Sequence, residues 1–278
     1  MAGIRDPLVE DPPPSRFDPE ELDIFATIPE AARTAPTIQW ESSADSFLQT
    51  GKLHPKFLLL GLSGISANLI HHLPDKILLG TILLPGKLPI KKSGEHSPLD
   101  KVANIYTCSS CQSLIIVSVQ YHVAEEGAYL WTRTLFQVIK PERVLILGLT
   151  PIYHFRGKLS SDEPSYFLLE TDHQKLEGTA DLTTSKEKTE DVKPLAPYYP
   201  SGSLVDGLAA ALLTYCQLRG LRGRLLLTWP AEDYRVAQML AATLTNVLRL
   251  IPEGSNVKFL ESAKHLSKKP ASLNNLYI

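Results

Sequence analysis

Cysteine is scarce in this chain, with three in 278 residues. Three is too few for a secreted disulfide framework, and an odd number leaves one thiol unpaired. A reducing compartment follows, the cytoplasm with the nucleus also open. An excess of charge is missing too: the formal net charge is −2. No basic field covers the chain as a whole, which argues against nucleic acid as a partner. Long apolar runs are absent. The longest, such as residues 57–62, have the length of a strand and fall short of the roughly 18 residues a bilayer span needs, so no membrane partner is expected. The amino terminus shows no apolar signal region, and it opens Met-Ala-Gly, which is not a myristoylation start.

What is present suffices for a folded body. Hydrophobic residues make up 44% of the chain, enough for a sizeable core. They are unevenly placed. Residues 1–36 hold seven of the 21 prolines, with eight acidic residues against three basic ones. Such a stretch buries too little apolar surface to offset its ordering entropy, so residues 1–37 read as a disordered acidic arm. The folded domain is expected over 38–266, followed by an extended tail, 267–278.

Within the domain, near-continuous aliphatic runs at 57–61, 77–84, 114–120, 144–149 and 224–229 read as strands covered on both faces. Between them lie stripes at helical spacing. Residues 65–73 form one helix, stopped by Pro74. Ala128, Trp131, Leu135 and Val138 mark a second. Leu204, Leu208, Leu212 and Tyr215 mark a third, ending near Gly220. Val236, Leu240, Leu244 and Val247 mark a fourth. Alternating strands and helices predict an α/β fold, a three-layer sandwich with a mostly parallel central sheet. Two polar segments, 87–101 and 171–193, are expected to be mobile loops.

The chemical signals are weak. Gly61-Leu62-Ser63-Gly64 sits between a strand and a helix, where a nucleophile elbow or phosphate-binding turn would lie. The elbow requires a glycine at its fifth position, and Ile65 stands there; the Gly-Lys-Ser/Thr of a P-loop is absent. Asp233 and His265 follow in the chain order of a hydrolase triad, so an α/β hydrolase-like or nucleoside-phosphorylase-like enzyme using this turn is the alternative reading. A plain strand-to-helix turn outweighs it.

Cys108-Ser109-Ser110-Cys111 resembles half of a zinc site. His96 and His122, the nearest further candidates, lack matching spacing. A redox pair would open a helix, and this one leads into a strand. Buried thiols are the simpler reading, and no metal or cofactor is expected. His71-His72 closes a helix and Glu125-Glu126 opens one, each at the end its charge favours. Arg219, Arg222 and Arg224 form a basic cluster, either a solvated turn or a surface for an acidic partner.

The chain ends Asn275-Leu276-Tyr277-Ile278. A hydrophobic residue, a tyrosine and a last residue with a free carboxylate make the hydrophobic-Tyr-any tail of proteins that dock on the proteasome α-subunit ring. An extended tail offers main-chain contacts to a groove and a carboxylate to a lysine. Two further segments accompany it in order. Leu208-Ala-Ala-Ala-Leu-Leu-Thr-Tyr215-Cys216-Gln217 leads from a helix into a strand. His122-Val-Ala-Glu-Glu-Gly-Ala-Tyr-Leu-Trp131 follows a strand and opens a helix. In these segments the chain resembles the proteasome assembly chaperone 1 family, over about 114–140 and 204–278. The resemblance implies an α/β protein without a catalytic site. It implies pairing with a second, related chaperone (a type 2 partner), and docking of the pair on the α ring during core-particle assembly. Only Leu276, Tyr277 and Ile278 map onto the docking motif, and the pairing surface has no motif.

Overall fold

The computed structural model describes residues 34–84, 102–160, 163–176, 196–230, 233–248 and 254–267. An eight-stranded sheet organises them. Its strands are β1 (Thr37–Trp40), β2 (Phe57–Gly61), β3 (Lys76–Leu83), β4 (Ala103–Cys108), β5 (Cys111–Val119), β6 (Arg143–Leu149), β7 (Ser165–Glu170) and β8 (Arg222–Trp229). The order across the sheet is β1-β3-β4-β5-β2-β6-β8-β7. The centre, β5-β2-β6-β8, is parallel. Antiparallel strands flank it on both sides. The α/β class and the parallel centre match the expectation from the aliphatic runs.

Among the described residues, helices α1 (Gly64–His71), α2 (Glu125–Val138), α3 (Gly207–Leu218), α4 (Tyr234–Leu248) and α5 (Phe259–Ser267) cover the sheet. One core cluster joins α1, α4 and α5 to Leu59, Ile116, Leu145 and Leu226. A second joins α2 and α3 to Leu58, Leu60, Ile146 and Leu227 on the other face. The strands at the centre thus supply both cores from alternate residues. This is why their sequences read as continuous apolar runs rather than alternating ones.

Three strands escaped the sequence reading. β4 is buried at every position, yet it carries Asn104 and Thr107. Asn104 lies between Thr81 and Ser118 in register, and Thr81 Oγ1 donates to its Oδ1 at 3.2 Å. That polar row broke the hydrophobic pattern. β1 and β7 are short edge strands, and only one position of β7 is fully buried.

The amino-terminal end of α3 differs from expectation, and its carboxyl end matches it. Leu204 has the right spacing for α3 but precedes it: Asp206 is the N-cap residue, and Leu204 is 62% exposed. The carboxyl end of α3 is a Schellman turn. Leu221 N donates to Cys216 O, Gly220 N donates to Gln217 O, and Gly220 takes φ +62°. The segment 171–193, expected to be a mobile loop, begins as structure. Thr171 is buried, and residues 172–176 form a helical turn. Residues 177–193 lie outside the described ones, as do the loop 87–101, nearly all of the arm and the tail beyond Ser267.

Candidate docking surfaces

The two sequence segments singled out above meet in space, because α2 packs on α3 over the second core. In the first segment, Trp131 is buried and its Nε1–H donates to Tyr121 Oη at 2.8 Å. Burial pushes the Tyr121 phenol up to about 12. Glu125 and Glu126 occupy the first turn of α2, where the helix dipole favours them.

In the second segment each of three successive residues has its own task. The Tyr215 ring stacks on Phe136 of α2, with 4.6 Å between centroids and 6° between planes. Cys216 points into the core against Gly223 of β8: a Cβ on that glycine would lie 2.9 Å from the Cys216 Cβ. Gln217 reaches the helical turn after β7. Its Oε1 accepts from Asp172 N at 2.9 Å, and its Nε2 donates to Asp172 Oδ2 at 2.7 Å. Thr171 completes the tie, accepting from Gly223 N at 3.0 Å and donating to Leu221 O at 2.9 Å. Tyr-Cys-Gln therefore locks α3 to α2, β8 and β7 at once.

The turn at Gly61–Gly64 is a helix cap. Ser63 Oγ accepts from Ser66 N at 3.2 Å, and Ser66 Oγ accepts from Ser63 N at 3.0 Å, a reciprocal capping box. Gly61 admits close approach of α1, since a Cβ there would sit 2.6 Å from Ile70 Cδ1. Ser63 is 3% exposed and engaged with Ser66, whereas a nucleophile needs an adjacent base. Asp233 is held below the usual carboxylate range chiefly by hydrogen bonds from Arg235, which also pairs with it at 2.6 Å. The His265 side chain lies outside the described residues.

Cys108 and Cys111 flank the two-residue turn of the β4–β5 hairpin, as buried thiols in no disulfide. Burial, with a smaller contribution from Cys111, pushes the Cys108 thiol up to about 12. Among the described residues, no three His, Cys, Asp or Glu side chains stand close enough to share a metal ion. No described helix is long and apolar enough to cross a membrane. The basic cluster is dispersed. Arg224 pairs with Glu170 across the β7–β8 edge at 2.7 Å, on the α4 face by strand alternation. Arg219 instead caps α3 on the opposite face, 5.6 Å from the Tyr215 ring centroid.

The sequence reading missed one surface. At the carboxyl end of β6, Leu149 is followed by Ile152 and by Tyr153, which is 94% exposed. Leu204 lies beside them, its N–H donating to His154 O at 3.1 Å. The result is an exposed apolar rim. No periodic signal marks it, since its members come from two loops. The docking residues read from the sequence, Leu276, Tyr277 and Ile278, lie outside the described residues.

No protein-family model matches the chain. Over 129 residues it is 27% identical to proteasome assembly chaperone 1 of Nematostella vectensis, a stretch covering 46% of each protein. The match thus spans about half the length of that relative. Among solved structures, Pyrococcus furiosus PbaA, an archaeal homologue of proteasome-assembly chaperone, superposes with a TM-score of 0.53 at 17% identity, covering 84% of this chain and 89% of the other. Pyrococcus furiosus PbaB, an archaeal proteasome activator, superposes at 0.50 with 17% identity, covering 84% and 96%. The chain therefore resembles proteasome assembly chaperone 1 in sequence and shares its fold with an archaeal homologue of proteasome-assembly chaperone.

Proposed function

We propose that this chain is a proteasome assembly chaperone that acts by binding, without ATP or a cofactor. The observation that carries the reading is the sequence match to proteasome assembly chaperone 1. The shared fold supports it. So does the packing of the two resembling segments, which build a single locked helix pair.

In this reading the chain has three parts: the acidic arm 1–37, the domain 38–266 and the tail 267–278. The tail docks in a pocket between α subunits, with Leu276 and Tyr277 supplying apolar contact and the Ile278 carboxylate pairing with a lysine. Eleven residues follow Ser267, and fully extended they span at most about 40 Å. The body then covers the ring face and excludes other tail-bearing activators. Release follows maturation of the pockets, because a binder responds only to states it binds differently.

Pairing with a related type 2 chaperone belongs to the same proposal. The apolar rim of Ile152, Tyr153 and Leu204 supports it, since contiguous exposed apolar surface calls for a cover. Buried cysteines in no disulfide suit the cytoplasm and the nucleus. Depleting the protein from cells and following core-particle precursors on native gels tests the function. Fewer complete α rings and more dead-end α-subunit complexes are expected; unchanged precursors contradict it.

A further inference from the structure

A cavity of about 410 Å³ opens between the carboxyl ends of α2 and α3. It lies where the chain leaves α2 to enter β6 and leaves α3 to enter β8, the amino-terminal end of the parallel strands. Small ligands of open α/β sheets bind at the opposite, carboxyl end. The location thus suits a docking surface rather than a substrate crevice.

Its wall and rim differ in character. The Phe136–Tyr215 stack forms an aromatic wall. Arg133, Lys140 and Arg219 surround it, all three exposed. Among the described residues none of the three pairs with a carboxylate. Several cations elsewhere do pair: Arg224 with Glu170, Arg235 with Asp233, Lys175 with Asp172 and Lys258 with Glu261. On a chain of net charge −2, three unneutralised cations around one aromatic wall are a local concentration of charge. Two of them are also held in place. Lys140 Nζ donates to Phe136 O at 2.6 Å, and Arg219 lies over the Tyr215 ring.

We propose that this groove docks an acidic peptide segment of a partner protein, its carboxylates pairing with Arg133, Lys140 and Arg219 while an apolar side chain rests on Tyr215. Charge complementarity selects the occupant. Both helices end here, so their dipoles direct partial negative charge at the cavity. That disfavours a concentrated multiple charge such as a phosphate cluster. Single carboxylates spaced along a peptide meet the side-chain cations one at a time. A nucleic-acid backbone needs a longer basic stripe than three residues provide.

The site is independent of the tail, so its test is too. The purified full chain is titrated against a fluorescent hexapeptide of four glutamates and two phenylalanines, and against the same peptide with glutamines. The acidic probe is expected to bind at least about tenfold more tightly at low salt, and to lose affinity as salt rises. Arg133→Glu combined with Arg219→Glu is expected to abolish that preference while lowering the melting temperature by no more than roughly 2–4 °C, because both side chains are exposed and only the Arg219 contact with the Tyr215 ring and the end of α3 is lost. Equal binding of the two peptides, no binding of either, an unaffected double variant, or tighter binding of a single-stranded oligonucleotide than of the acidic peptide would each overturn the proposal.

Discussion

The Tyr215 ring lies parallel on Phe136, 4.6 Å away, and joins α3 to α2 at the edge of their shared core. Phe136 is fully buried and Tyr215 only partly, so the stack reaches from the core to the groove. Phe136→Ala is expected to destabilise the protein by roughly 3–5 kcal/mol, the usual range for a buried aromatic. Tyr215→Phe keeps the stack and is expected to change stability by less than about 1 kcal/mol. Chemical denaturation of the two variants checks the order.

Gly223 has no room for a side chain. Its Cβ would meet Cys216 Cβ at 2.9 Å and Thr171 Cγ2 at 3.1 Å. Gly223→Ala is expected to cost about 1–3 kcal/mol through overpacking. Gly64→Ala is the control. Nothing lies within 4 Å of its Cβ position, and the variant is expected to be neutral or slightly stabilising, since alanine suits a helix better than glycine. Thermal melts of both distinguish steric closure from a general intolerance of glycine substitution.

Ser63 serves as a helix cap, and its replacement reports on that role. Ser63→Ala is expected to lower stability by roughly 0.5–2 kcal/mol while leaving capture of proteasome subunits intact at temperatures where the variant is folded. A thiol or ester turnover abolished by this substitution would instead revive the hydrolase reading. Esterase assays on both proteins decide the matter.

Burial lifts the Cys216 thiol from its ordinary 9.0 to about 12, and the Cys108 thiol by the same cause. Their protonated forms are favoured in the fold. Their contribution to stability is therefore fully present below about pH 9 and is lost as pH rises towards 12, because the unfolded thiols ionise first. Iodoacetamide is expected to label both slowly at pH 8 in the native protein and rapidly in denaturant. Rapid native labelling at either position would show that the thiol is not buried as described.

How far the sequence revealed this fold depended on where polar residues fell. β2, β5, β6 and β8 were legible because both their faces are covered. β4 was not, since Asn104 and Thr107 stand at buried positions and find partners across the sheet. Leu204 kept helical spacing outside any helix, because the chain enters α3 only at Asp206. The motif segments were legible as a resemblance, but their work was not. Gln217 bonds to Asp172, and Phe136 stacks on Tyr215, across separations no local pattern shows. The cationic groove was half visible: Arg219 was noticed in a local basic cluster, whereas Arg133 and Lys140 come from another helix end.

The central claim is docking on the proteasome α ring through the last three residues. Its most direct measurement is capture of α subunits and assembly intermediates from cells, comparing the full chain with one lacking Leu276, Tyr277 and Ile278. The account predicts that the full chain retains α rings and that the truncated chain largely loses them while still retaining its partner chaperone. Equal capture by both chains would contradict tail docking, and capture of no proteasome subunit by either would contradict the chaperone function itself.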